Sequence, residues 1–75
     1  MKYLEELNTG DCCLINGDYF IVTTDFKKNG HKLCINLKSG QGNLIQPDER
    51  VEEIDIFTFD KDSNIIAIKE RKKEQ

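Results

Sequence analysis

Lys27, Lys28, Lys32 and Lys38 stand in a stretch, residues 26–47, that contains no Asp or Glu, inside a 75-residue chain of net charge −3. A local basic island in an acidic chain suits a compact anion, which needs only a few cations close together. Lys27, Lys28, Asn29 and Gly30 share one expected turn with His31 beside it, and Lys38, Ser39, Gly40, Gln41, Gly42 and Asn43 fill the next connector. Glycine-rich connectors let backbone N–H groups approach an anion, and amide side chains hydrogen-bond a polar edge. Lys27, Lys28 and Lys38, with Arg50, are the candidates to neutralise phosphate. Asn29, Gln41 and Asn43 are the candidate hydrogen-bonders, with His31 and Ser39 in the same turns. Tyr19 or Phe26 offers a stacking face. The plain alternative is that these lysines keep turns soluble. A long nucleic-acid backbone fits less well, because it rewards a continuous basic surface and this chain is acidic on either side of the island.

The other chemical constellations fail on spacing. Asp60-x-Asp62-x-Asn64 opens like a calcium loop, but Ile65 stands where that loop requires glycine, and Glu70 comes one residue early. His31 and Cys34 are three apart, which on a strand places them on opposite faces and spoils both a zinc knuckle and a nucleophile–base pair. Glu52, Glu53 and Asp55 read as a solvated acidic edge that discourages strand-to-strand aggregation. No catalytic residue, metal or cofactor is expected, and the chain reads as a non-enzyme.

Seventy-five residues make a single domain, 1–75. A chain this short buries only about 60% of the surface its unfolded form exposes, so it benefits from a further stabiliser. Disulfides are a poor candidate: there are three cysteines, and Cys12 and Cys13 are adjacent. That usage points to buried thiols in a reducing cytoplasm, the host bacterial cytoplasm if the source is viral. Self-association is the stabiliser left. No apolar run approaches the roughly 18 residues of a membrane span, so no membrane partner is expected.

Nine Ile against one Ala is a strand-former's composition. Asn16-Gly17 and Asn29-Gly30 each separate apolar, β-branched runs, a strong hairpin signal because both central residues of a type I′ turn need positive φ. Residues 12–15, 18–26 and 31–37 therefore read as three successive strands. Residues 18–26 are apolar on both faces, which implies a closed barrel or a covering subunit. In residues 31–37 the alternation puts Leu33, Ile35 and Leu37 inward, and Lys32, Cys34 and Asn36 outward. Leu44-Ile45 is a strand stub ended by Pro47, and residues 51–59 and 65–69 complete the strands. Tyr3, Leu4 and Leu7 suggest a short N-terminal helical turn over an open end, and residues 69–75 form a charged tail. The expected fold is mostly β: a small antiparallel SH3-like barrel or sandwich of five to six strands. Phe57 and Phe59 share a strand face, which places part of that face in a contact.

Gly10-Asp11, the run Asn16-Gly17-Asp18-Tyr19-Phe20-Ile21-Val22-Thr23, and Leu33-Cys34-Ile35-Asn36-Leu37-x-Ser39-Gly40 together resemble small barrel-type accessory proteins encoded by bacteriophages. Among these are inhibitors of bacterial immunity, including sponges that sequester cyclic nucleotide signals between identical subunits. The resemblance implies non-catalytic capture of a small anionic ligand by a homo-oligomer. The alternative is an interaction module that blocks a host enzyme through the acidic residues 49–55 and the edge at Phe57 and Phe59.

Overall fold

The computed structural model describes residues 2–68; the expected tail, 69–75, and the Lys69 end of the last strand lie outside them. The described residues form eight short strands and one 3-10 turn. They are β1 (Lys2–Tyr3), the 3-10 turn Leu4–Glu6, β2 (Cys12–Ile15), β3 (Asp18–Phe26), β4 (Lys32–Asn36), β5 (Gly42–Ile45), β6 (Arg50–Ile54), β7 (Phe57–Phe59) and β8 (Ile65–Ala67). All pairings are antiparallel. Six strands make one sheet in the order β1-β6-β2-β3-β4-β5, and β7 and β8 form a separate hairpin. The β2–β3–β4–β5 meander with β6 returning beside β2 is consistent with the small antiparallel barrel or sandwich expected from sequence. No helix among the described residues is long and apolar enough to cross a membrane.

Local chemistry explains the first turn directly. Asn16 and Gly17 both adopt positive φ, 49° and 86°, as a two-residue type I′ connection requires. The second Asn-Gly pair works differently. Only Gly30 is left-handed there, Gly30 N donates to Lys27 O, and Asn29 Oδ1 accepts from His31 N. It is a three-residue loop, Lys28 to Gly30, closed by the Lys27 N–His31 O bond, so its register is set by the longer loop.

The 3-10 turn closes the barrel. Leu4 N donates to Glu49 O and Glu5 N to Pro47 O, tying the N-terminus to the connector between β5 and β6. Leu4 and Leu7, 0% and 2% exposed, then plug the core, which also holds Cys13, Ile15, Phe20, Val22, Cys34 and Val51, with Ile45 packed against it. Each such aliphatic or aromatic side chain contributes about 1.5–3 kcal/mol on burial.

Two expectations are corrected. On β4 the faces are reversed: Cys34 is fully buried, while Leu33 and Ile35 are half-buried on the other side and Leu37 is exposed. Cross-strand partners share a face, and the register pairs Val22 with Cys34 and Phe20 with Asn36. Since Phe20 and Val22 face inward, Cys34 must follow. Beyond Val22 the register of β3 shifts, and the ring of Phe26, opposite Lys32, is 73% exposed. Residues 51–59 are two strands. β6 loses its partner at the Ile54–Cys12 pair, where β2 begins, and the chain turns off to pair with β8.

Candidate functional site

A cleft of about 640 Å³ opens at the end of the barrel that Leu7 plugs. Val22 and Leu7 form its apolar part; Thr24 and Phe26 come from β3, Lys28 and Asn29 from the turn, Lys32 from β4, and Asn8 and Thr9 from the N-terminal segment. Glu5 and Pro47 complete the rim. Lys32 occupies this place because of the register that reversed β4. It shares the inner face with Cys34 and stands opposite Ile45, so its stem prolongs the core while its amine leaves by the open end. There Lys32 Nζ donates to Leu7 O at 2.7 Å, and an ammonium retains two further N–H donors.

The N-terminal wall is held rigidly. Gly10 N donates to Val22 O at 2.7 Å, Val22 N to Asp11 O at 3.0 Å, and Asn8 N to the Asp11 carboxylate at 2.8 Å. Thr23 Oγ1 donates to Leu33 O at 2.7 Å and braces the irregular part of β3. These bonds fix Asn8, Thr9 and Thr24 around the opening.

Of the residues singled out in the sequence, Phe26, Lys28 and Asn29 come together in this cleft. His31 lines a smaller cleft of about 290 Å³ with Leu44, Gln46 and Glu49. Tyr19 and Lys38 line a third, of about 750 Å³, with Leu37, Ile54, Phe57 and Ile68. Lys27, Ser39, Gln41, Asn43 and Arg50 line none of the three. The basic island is thus divided between the ends of the barrel. Asn43 stands opposite Cys34 on the inner side, and Arg50 opposite Tyr3 at the start of β6.

The connector from Lys38 to Gln41 uses its backbone donors internally. Asn36 Oδ1 accepts from Lys38 N and Ser39 N, Asn36 O from Gly40 N, and Ser39 Oγ from Gln41 N. Those N–H groups build the turn. Lys32, Asn8, Thr9 and Thr24 were not among the candidates read from sequence. The signal for Lys32 was its membership of the basic island, masked by an alternation that put it outside.

The thiols belong to the core. All three cysteines are free and buried. Desolvation, with Cys34 as neighbour, pushes the Cys13 thiol up to about 12, and burial raises Cys34 against the opposing pull of Lys32. Both are protonated near neutrality, and a protonated thiol is a poor nucleophile. Among the described residues no group of three or more His, Cys, Asp or Glu could hold a metal ion.

No protein-family model matches the chain, and neither a curated protein nor a solved structure matches it.

Proposed function

We propose that this chain is a non-catalytic binding protein that captures a small phosphate-bearing ligand at the open end of its barrel. The observation that supports this reading is the meeting of Lys28 and Lys32 with Asn29 and the exposed ring of Phe26 around one cleft of about 640 Å³. That volume falls in the range of small-molecule sites, about 300–1,000 Å³. Two ammonium groups neutralise phosphate, Asn8, Asn29 and Thr24 supply directed hydrogen bonds, and the ring stacks on a base. Charge, amides and a ring are suited to holding a ligand. Combined with the phage-type resemblance, this chemistry favours a sponge for a nucleotide signal, a cyclic nucleotide among them, acting against host defence.

Thermal unfolding in the presence of inorganic phosphate, mononucleotides and cyclic dinucleotides tests the reading. A micromolar binder at hundredfold excess adds about 2.7 kcal/mol, which raises Tm by about 10–20 °C in a domain of this size. Lys28→Ala removes that shift. No shift with any of these anions, or an equal shift in Lys28→Ala, refutes it.

A second reading, an interaction module that inhibits a host protein, is favoured by a separate observation. Phe57 and Phe59 are 57% and 69% exposed, next to the acidic β6.

A further inference from the structure

The outer face of the sheet is as apolar as the inner one. Cross-strand rows run Ile54–Cys12–Ile21–Ile35 and Leu14–Tyr19–Leu37, with Leu33 opposite Leu44 beyond them. At Gly42 the bare Cα lets this layer close up. An added Cβ there would lie 3.1 Å from Leu33 Cδ1 and 3.4 Å from Ile35 Cδ1. The β7–β8 hairpin stands beside this face, with Phe57 and Ile68 across a cleft of about 750 Å³ from Tyr19 and Leu37. The hairpin has little to hide behind: Phe57, Phe59 and Ile65 are 57%, 69% and 68% exposed. A two-stranded hairpin is marginal by itself in water.

We infer that this face, sheet and hairpin together, is the contact between two copies of the chain, an inference independent of anion capture. Exposure is the first argument. Phe57, Phe59 and Ile65 share one face of the hairpin and, like Tyr19, Leu37 and Leu44 on the sheet, are large apolar side chains left exposed. Large apolar side chains gathered like this are the mark of a contact surface.

Charge is the second argument, and it selects the occupant. The Leu14–Tyr19–Leu37 row, at one end of the face, runs to exposed Glu52 on β6, opposite Leu14, and to exposed Lys38, next to Leu37. The two ends are about 14 Å apart, three strand spacings. When two such faces stack about 10 Å apart around a twofold axis along the strands, each Glu52 end lies over the other copy's Lys38 end. The face therefore complements itself. A lipid surface would meet the acidic end unfavourably.

Sedimentation equilibrium of the full chain over a range of concentrations, with far-UV circular dichroism as the control for folding, decides the matter. The chain is expected at twice its 8.7 kDa monomer mass, and Phe57→Glu is expected to weaken association at least about a hundredfold. Glu52→Lys and Lys38→Glu are each expected to weaken it about tenfold, and the double reversal to restore it. The pair keeps the test decisive if Phe57→Glu fails to fold. A folded monomer at every concentration overturns the inference. So does a dimer indifferent to all of these changes, flotation of the monomer with phosphatidylcholine–phosphatidylglycerol vesicles, or stable occupation of the face by a different protein.

Discussion

Lys32→Met separates the two tasks assigned to the barrel end. Methionine keeps the length of the stem beside Ile45 but removes both the charge and the donor that Leu7 O receives at 2.7 Å. Leu7 is only 2% exposed, so its carbonyl is poorly placed to find water in exchange. A hydrogen bond to a charged group contributes about 1.5–3 kcal/mol. Lys32 is half-buried, so solvent already weakens the charge and the expected loss is about 1–2 kcal/mol. In a domain of this size that lowers Tm by about 5–15 °C. With a urea slope of about 1 kcal/mol per M, the midpoint falls by about 1–2 M at unchanged slope. Lys28 is exposed, and Lys28→Ala should stay within about 0.5 kcal/mol of the parent. Both variants should lose phosphate-ligand binding. A Lys32→Met midpoint equal to that of the parent would refute the reasoning, as would a Lys28→Ala variant equally destabilised.

The reversed faces of β4 make a direct comparison: Cys34→Asp places a carboxylate in a fully buried position and should cost more than about 3 kcal/mol, while Leu33→Asp on the half-buried side should cost distinctly less by urea titration. Equal or inverted losses would restore the alternation read from sequence. The Cys13 thiol, held near 12 against an ordinary value of 9.0, keeps its proton in the native state where the unfolded chain has lost it. Its contribution to stability is therefore whole below about pH 9 and declines as pH rises towards about 12. Urea midpoints of the parent should fall more between pH 8.5 and 10.5 than those of Cys13→Ala; parallel curves would contradict the assignment.

Much of the architecture was legible in the chain because it rests on local rules. Asn16-Gly17 specified a tight hairpin through the φ values that glycine and asparagine tolerate, and Pro47 ended β5 by lacking a donor. Leu4 and Leu7, at helical spacing, marked the turn that plugs the core. The candidate site was legible only in part. Phe26, Lys28 and Asn29 were recognisable because the turn brings them together at short range, while Lys32 was not.

The reason lies in the period of two. A strand apolar on both faces gives no local preference for either, so Leu33-Cys34-Ile35 alone cannot say which face is inside. That choice is made across the sheet, where Phe20 and Val22 commit β4 through the ladder and carry Lys32 to the barrel end. By itself the sequence determined most of the strands, the first hairpin turn and the basic island, all consequences of residues a few positions apart. Tertiary structure decided the register, the division of the island between opposite ends and the break between β6 and β7. Each of those depends on pairings between segments distant along the chain.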